Sequence, residues 1–139
     1  MELPVIIVNF KVYEQAVGQR ALELAKIHEK VALETGASIA IAVNALDVVR
    51  VAQAVSIPVF AQHFDPIGFG SHTGHIHPAV LKEAGVYGSL LNHAEHQLAD
   101  NVLIASVCQA KELGLFTIVC AETPEKGAEM MGCGPDLIA

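Results

Sequence analysis

Tryptophan is absent from the sequence, and phenylalanine and tyrosine together make up only 5% of it. A core with so few rings must rest on Ala, Val, Ile and Leu, which suits packed helices and parallel strands better than a sandwich. Cations are scarce too: eight Lys and Arg face fifteen Asp and Glu, a formal net charge of −7. That balance argues against nucleic acid as a general partner. It still permits a small anionic substrate, because one lysine or a helix N-terminus suffices to hold an anion. No apolar run approaches the roughly 20 residues that span a bilayer, so no membrane partner is expected. No basic segment followed by a cleavable apolar one opens the chain. Cys108, Cys120 and Cys133 are odd in number and lie in helix-like, strand-like and loop-like settings. They read as reduced thiols rather than a disulfide framework, and a cytoplasmic location is expected.

What is present is a chain of 139 residues, 53% hydrophobic and 17% charged, enough for one domain and a substantial core. Short β-branched runs alternate with segments of helical period. Pro4–Phe10, Ala37–Val43, Val59–Gln62, Val86–Leu91 and Phe116–Ala121 read as strands. Gln19–Thr35, Leu46–Val55, Pro78–Ala84, Asp100–Leu113 and Pro124–Met131 read as helices. The first helix carries Ala21, Leu24, Ala25, His28, Val31 and Ala32 on one face, with His28 filling core or groove, and Gly36 stops it. Pro135–Ala139 resembles the opening of a sixth strand. Strands this uniformly apolar are covered on both faces, which means a parallel α/β arrangement with crossover helices. No linker or domain boundary is visible, so 1–139 is expected to be one partial domain without a second. An open doubly wound sheet and a closed barrel both fit, but no glycine-rich phosphate loop follows the first strand, which disfavours the open sheet.

In either architecture chemistry gathers where strands end and βα loops begin. Those ends carry Asn9 and Lys11, then Asn44, then Gln62, His63 and Asp65, then Asn92, His93 and Glu95, then Glu122. Lys11 could neutralise a phosphate or a developing enolate oxygen, or simply extend into solvent. His93 directly follows an apolar strand, where an imidazole could polarise a carbonyl or move protons. A helix N-terminus close behind it would favour the neutral ring; Glu95 could pair with Lys11 or orient a neighbour. His72, His75 and His77, with His93 and His96, admit a metal-dependent hydrolase as an alternative, although no acid is interspersed among the first three. Gly70 and Gly74 make that stretch look like a flexible or interface-forming loop. Cys120 reads as a small buried residue rather than a nucleophile.

Several stretches in register give the chain a family resemblance. VNFKVY at Val8–Tyr13, VFAQHFDP at Val59–Pro66, GSHTGHIHP at Gly70–Pro78, LKEAG at Leu81–Gly85 and LLNHAEHQL at Leu90–Leu98 resemble the triosephosphate isomerases of archaeal type. The resemblance implies a (β/α)8 TIM barrel, here represented by about five to six βα units. It implies interconversion of dihydroxyacetone phosphate and glyceraldehyde 3-phosphate, part of glycolysis and gluconeogenesis, without a cofactor or metal. By the same resemblance Asn9 and Lys11 bind substrate, with Lys11 supplying positive charge. His93 is implied to be the neutral electrophile, Glu95 a supporting carboxylate beside it, and Thr73 part of a loop that docks into a neighbouring subunit.

Two departures and the chain's end qualify this. Ala94 and His96 stand where the family pattern has Ser-Glu followed by Arg or another residue, and Val43-Asn44-Ala45-Leu46 lacks the usual Pro or Gln. The family's general base, a Glu at the exit of strand six, would fall just beyond Ala139, together with the lid and phosphate loops. The 139 residues alone are therefore expected to be inactive. They would act as a fragment completed by a C-terminal barrel portion, as a homo-oligomer (dimer or tetramer), or as a non-catalytic assembly module.

Overall fold

The strand of the second βα unit shows why the chain folds as it does: all five residues of Ile39–Val43 (IAIAV) are buried, so both of its faces are covered. The computed structural model describes residues 1–139, and they pack as two compact units. The first comprises Met1–Gln62 and Ala84–Tyr87, the second His63–Glu83 and Gly88–Ala139.

In the first unit β1 (Ile6–Asn9), β2 (Ile39–Val43) and β3 (Val59–Ala61) run parallel. Ile6 pairs with Ile39 and Asn9 with Ala42, while Val43 pairs with Ala61. Helix α1 (Gln19–Thr35) lays the small side chains of Ala21 and Ala25 toward β2, and Gly36 ends it in the left-handed conformation. Small residues allow the close approach; His28 fills the next turn, its ring 5.3 Å from that of Phe10 and its Nδ1 donating to the Leu24 carbonyl at 2.8 Å. The expected apolar face does not stay buried: Val31 is 42% exposed. The reason is length, since a 17-residue helix spans about 25 Å and outruns a five-residue strand of about 17 Å. The expected helix over Leu46–Val55 is shorter, α2 (Val48–Ala52), because a turn over Asn44–Asp47 takes up its start. Strand β1 is likewise less covered than expected, with Ile6 58% exposed.

In the second unit β4 (Gly88–Leu91), β5 (Phe116–Val119) and β6 (Leu137–Ile138) are also parallel. All four residues of β4 are buried, and so are Leu103, Val107 and Ala110 of α4 (Asp100–Leu113). Helix α3 (Pro78–Glu83) lies against α4; Lys82 Nζ donates to the Gly114 carbonyl at 2.7 Å, where α4 ends in a left-handed glycine. Helix α5 (Pro124–Met130) starts with Pro at its first turn, and the Thr123 hydroxyl accepts the Lys126 amide at 3.2 Å. The sixth strand is only two residues long. Asp136 fastens its start, accepting the Thr117 amide at 2.7 Å and the Thr117 hydroxyl at 3.0 Å.

Candidate active site

In the first unit the chain leaves β1 through Asn9, Phe10 and Lys11. Phe10 is buried, and the strand has already ended at Asn9. Lys11 has φ 50°, a left-handed conformation that non-glycine residues adopt only when surroundings hold them there. The holding is visible. Asn9 Oδ1 accepts the Lys11 amide at 3.0 Å. Gln62, the first residue after β3, donates from Nε2 to Asn9 Oδ1 at 3.1 Å and to the Lys11 carbonyl at 3.0 Å. The Asn9 side chain and the Lys11 backbone are therefore joined, and Gln62 is the residue sequence reading left without a role. Its place directly after a strand was the available signal.

In the second unit His93 follows β4 and Asn92. The Glu95 amide donates to His93 Nδ1 at 3.2 Å, and the His96 amide donates to the His93 carbonyl at 2.7 Å, so the residues form a tight turn. Glu95 Oε2 lies 3.6 Å from the same ring nitrogen. The amide is nearer and can only donate, an arrangement that suits an accepting Nδ1 and a proton carried on Nε2. Helix α4 begins only at Asp100, and the backbone group bonded to the ring is a loop amide. His93 lines a cavity of about 250 Å³ with Asn92, Ala94, Cys120, Ala121, Glu122 and Ala139. Burial pushes the Cys120 thiol up, which keeps it protonated and suits a structural residue rather than a nucleophile.

The remaining histidines divide by what they touch. His72, His75 and Thr73 lie on an exposed loop, closed at its base where the Asp65 amide donates to the Ile76 carbonyl at 2.9 Å and Asp65 Oδ2 accepts the Ile76 amide at 2.7 Å. His77 accepts the Ala79 amide on Nδ1 at 3.1 Å and stacks on Phe69 with ring centroids 4.1 Å apart. No group of three or more His, Cys, Asp or Glu side chains converges as metal ligands would, so the hydrolase alternative has no geometric footing.

His63 bonds Asp65 Oδ1 at 3.3 Å and packs its ring 4.1 Å from that of His96. Burial lowers the affinity of His63 for a proton; the Asp65 hydrogen bond opposes this, the His96 charge adds to it, and the net direction is down. At pH 7.5 the ring is neutral folded and unfolded, and nothing is lost. Below the ordinary imidazole range near 6.5, the unfolded chain takes a proton that the folded chain resists, so stability falls as pH drops. Urea midpoints measured at pH 7.5 and 5.5 should therefore separate more for the native chain than for His63→Gln. Equal separations would exclude this source.

A family model described as triosephosphate isomerase matches residues 4–132. Among curated proteins, a triosephosphate isomerase from Metallosphaera sedula is 48% identical over 94% of this chain and 57% of its own length. Those from Pyrobaculum arsenaticum and Methanosarcina barkeri are 47% and 45% identical over the whole chain and 62% and 63% of their own lengths. The chain thus spans about three fifths of these relatives. Among solved structures, a triosephosphate isomerase from Bartonella henselae superposes with a TM-score of 0.79 over 97% of this chain and 66% of that one. At 19% identity that likeness speaks for the fold, a TIM barrel of which this chain represents a part.

Proposed function

We propose, since the chain belongs to the triosephosphate isomerase family, that it carries the carbonyl-polarising side of an isomerase interconverting dihydroxyacetone phosphate and glyceraldehyde 3-phosphate. The observation that carries this is the Glu95 amide on His93 Nδ1. It leaves the neutral ring's Nε2–H as a donor at the end of β4, where a carbonyl or enediolate oxygen would accept it. Lys11, with its backbone held by Asn9 and Gln62, supplies a cation for the anionic triose phosphate, and Asn9 binds the substrate beside it. Glu95 supports the His93 turn. No cofactor takes part in this scheme. The proton is taken from carbon by a glutamate following strand six, which is not among these 139 residues.

The 139 residues belong, on this reading, to a single barrel domain completed by further chain or by a partner. Thr73, at the tip of the loop that Asp65 closes, would contact a second subunit of a homo-oligomer, and the enzyme would work in the cytoplasm. No helix is long and apolar enough to cross a membrane.

The purified 139-residue chain should convert glyceraldehyde 3-phosphate only at trace rate. Co-refolding it with the C-terminal portion of an archaeal relative should restore turnover, and His93→Gln in that assembly should lower kcat by about 10²–10⁴-fold. Robust turnover by the chain alone would refute the placement of the base. Unchanged turnover in the His93→Gln assembly would refute the role of His93.

A further inference from the structure

Only two non-glycine residues have a left-handed backbone: Lys11, and Asn92 with φ 58°. Asn92 stands between the last residue of β4 and His93. Asparagine tolerates this conformation better than most residues, yet glycine would adopt it more readily still. The Asn92 side chain shows what glycine would lack. Its Nδ2 donates to the Cys120 carbonyl at 3.0 Å, just past the rung where the Cys120 amide donates to the Leu91 carbonyl at 2.9 Å. The side-chain amide therefore continues the β4–β5 ladder after the backbone has turned away. Its Oδ1 accepts the Leu98 amide at 2.9 Å, closing the loop that holds His93. Within that loop sits the Glu95 amide on His93 Nδ1.

We propose that Asn92 is the positioning residue for His93. By bonding β5 on one side and Leu98 on the other, it fixes the turn that sets the Glu95 amide against the ring and thereby selects the Nε2–H tautomer. This rests on the proposed role of His93 as an Nε2 donor, and the turn makes its own testable demand. A loop tied at one end only would let the Glu95 amide drift from the ring nitrogen, and the two tautomers would then differ little in energy.

The test uses the ¹⁵N-labelled 139-residue chain, so no catalytic turnover is needed. Long-range ¹H–¹⁵N correlations should show His93 with Nδ1 bare and Nε2 protonated. Asn92→Gly keeps the left-handed backbone accessible and removes both side-chain bonds. It should give mixed His93 tautomers and about tenfold faster hydrogen exchange of the Glu95 amide, with the far-ultraviolet circular dichroism unchanged. Asn92→Asp keeps the acceptor for Leu98 but sets a carboxylate against the Cys120 carbonyl; it should show an intermediate exchange rate, which guards against an effect of glycine flexibility alone. A native His93 protonated on Nδ1 would sink the proposed role of His93 and the tautomer selection together, whereas an Nε2–H ring with no loss of turnover in the His93→Gln assembly would sink the role of His93 alone. A native Nε2–H ring with the same tautomer and the same Glu95 exchange in Asn92→Gly would overturn the positioning role.

Discussion

Replacing Gly88 by alanine is expected to destabilise the chain by about 3 kcal/mol or more, the upper end for overpacking a closed interior. Gly88 opens β4 and pairs with Phe116 of β5. A Cβ built there falls 1.9 Å from the Phe116 carbonyl oxygen and 2.7 Å from its carbonyl carbon. Both are backbone atoms of the neighbouring strand, so no rotamer change relieves the clash; β5 itself has to move. Movement is costly because Leu90, Leu91, Ile118 and Val119 are each under 5% exposed and close-packed interiors transmit such shifts. It also reaches the site, since β4 leads into Asn92 and His93 and β5 into Cys120. Gly132→Ala is the control, for nothing lies within 4 Å of a Cβ built there. Urea unfolding followed by circular dichroism should place Gly88→Ala far below the native chain and Gly132→Ala within about 0.5 kcal/mol of it. A Gly88→Ala chain as stable as the control would show that the β4–β5 spacing is looser than described.

The features readable from sequence were those decided by near neighbours. Gln19–Thr35 and Asp100–Leu113 match their helices to the residue, because each runs into a glycine, Gly36 or Gly114, that takes the left-handed end conformation. IAIAV was readable as a doubly buried strand because all five residues are apolar. Reading failed where a distant partner decides. The helix expected from Leu46 begins only at Val48 because Asn44 turns the chain and its Oδ1 accepts the Leu46 amide at 3.0 Å. The stretch around Gly70 and Gly74 reads as a flexible or interface-forming loop, and its closure depends on an Asp65–Ile76 pairing across 11 residues. The candidate site divides in the same way. His93 after an apolar strand, with Glu95 two residues on, was plain in the order of residues. Gln62 and Asn92 stand at strand ends, which marks them as candidates, but Gln62 takes its role from Asn9, 53 residues away, and Asn92 from Cys120, 28 residues away, partners that no local pattern names.

Asp47→Ala is the second large effect to expect, about 1–3 kcal/mol of lost stability, because it strips the shared acceptor from several donors at once. Asp47 is 7% exposed. Its Oδ2 accepts the Gly18 amide at 2.8 Å and Asn44 Nδ2 at 2.8 Å, and its Oδ1 accepts Arg50 Nη2 at 2.9 Å. Arg50 also donates to the Gly18 carbonyl. Gly18 stands at the start of α1, where no side chain of its own caps the helix, and where a negative charge is favourable. One carboxylate thus joins the start of α1 to the turn leaving β2. Removing it leaves the Gly18 amide and the Asn44 side chain, both in part-buried bonds, without their acceptor, and water that reaches them only in part restores only part of what the bonds contribute. Arg50 is about half exposed and returns to water, so the ion pair is the smaller part of the loss. Asp47→Asn separates the two contributions: it removes the charge and turns one acceptor into a donor while keeping the shape. It should fall between the native chain and Asp47→Ala, with the Gly18 amide losing hydrogen-exchange protection in both variants. If Asp47→Asn equals the native chain, the carboxylate charge is immaterial. If Asp47→Ala equals it as well, the start of α1 is held by its packing on Ala21 and Ala25 alone.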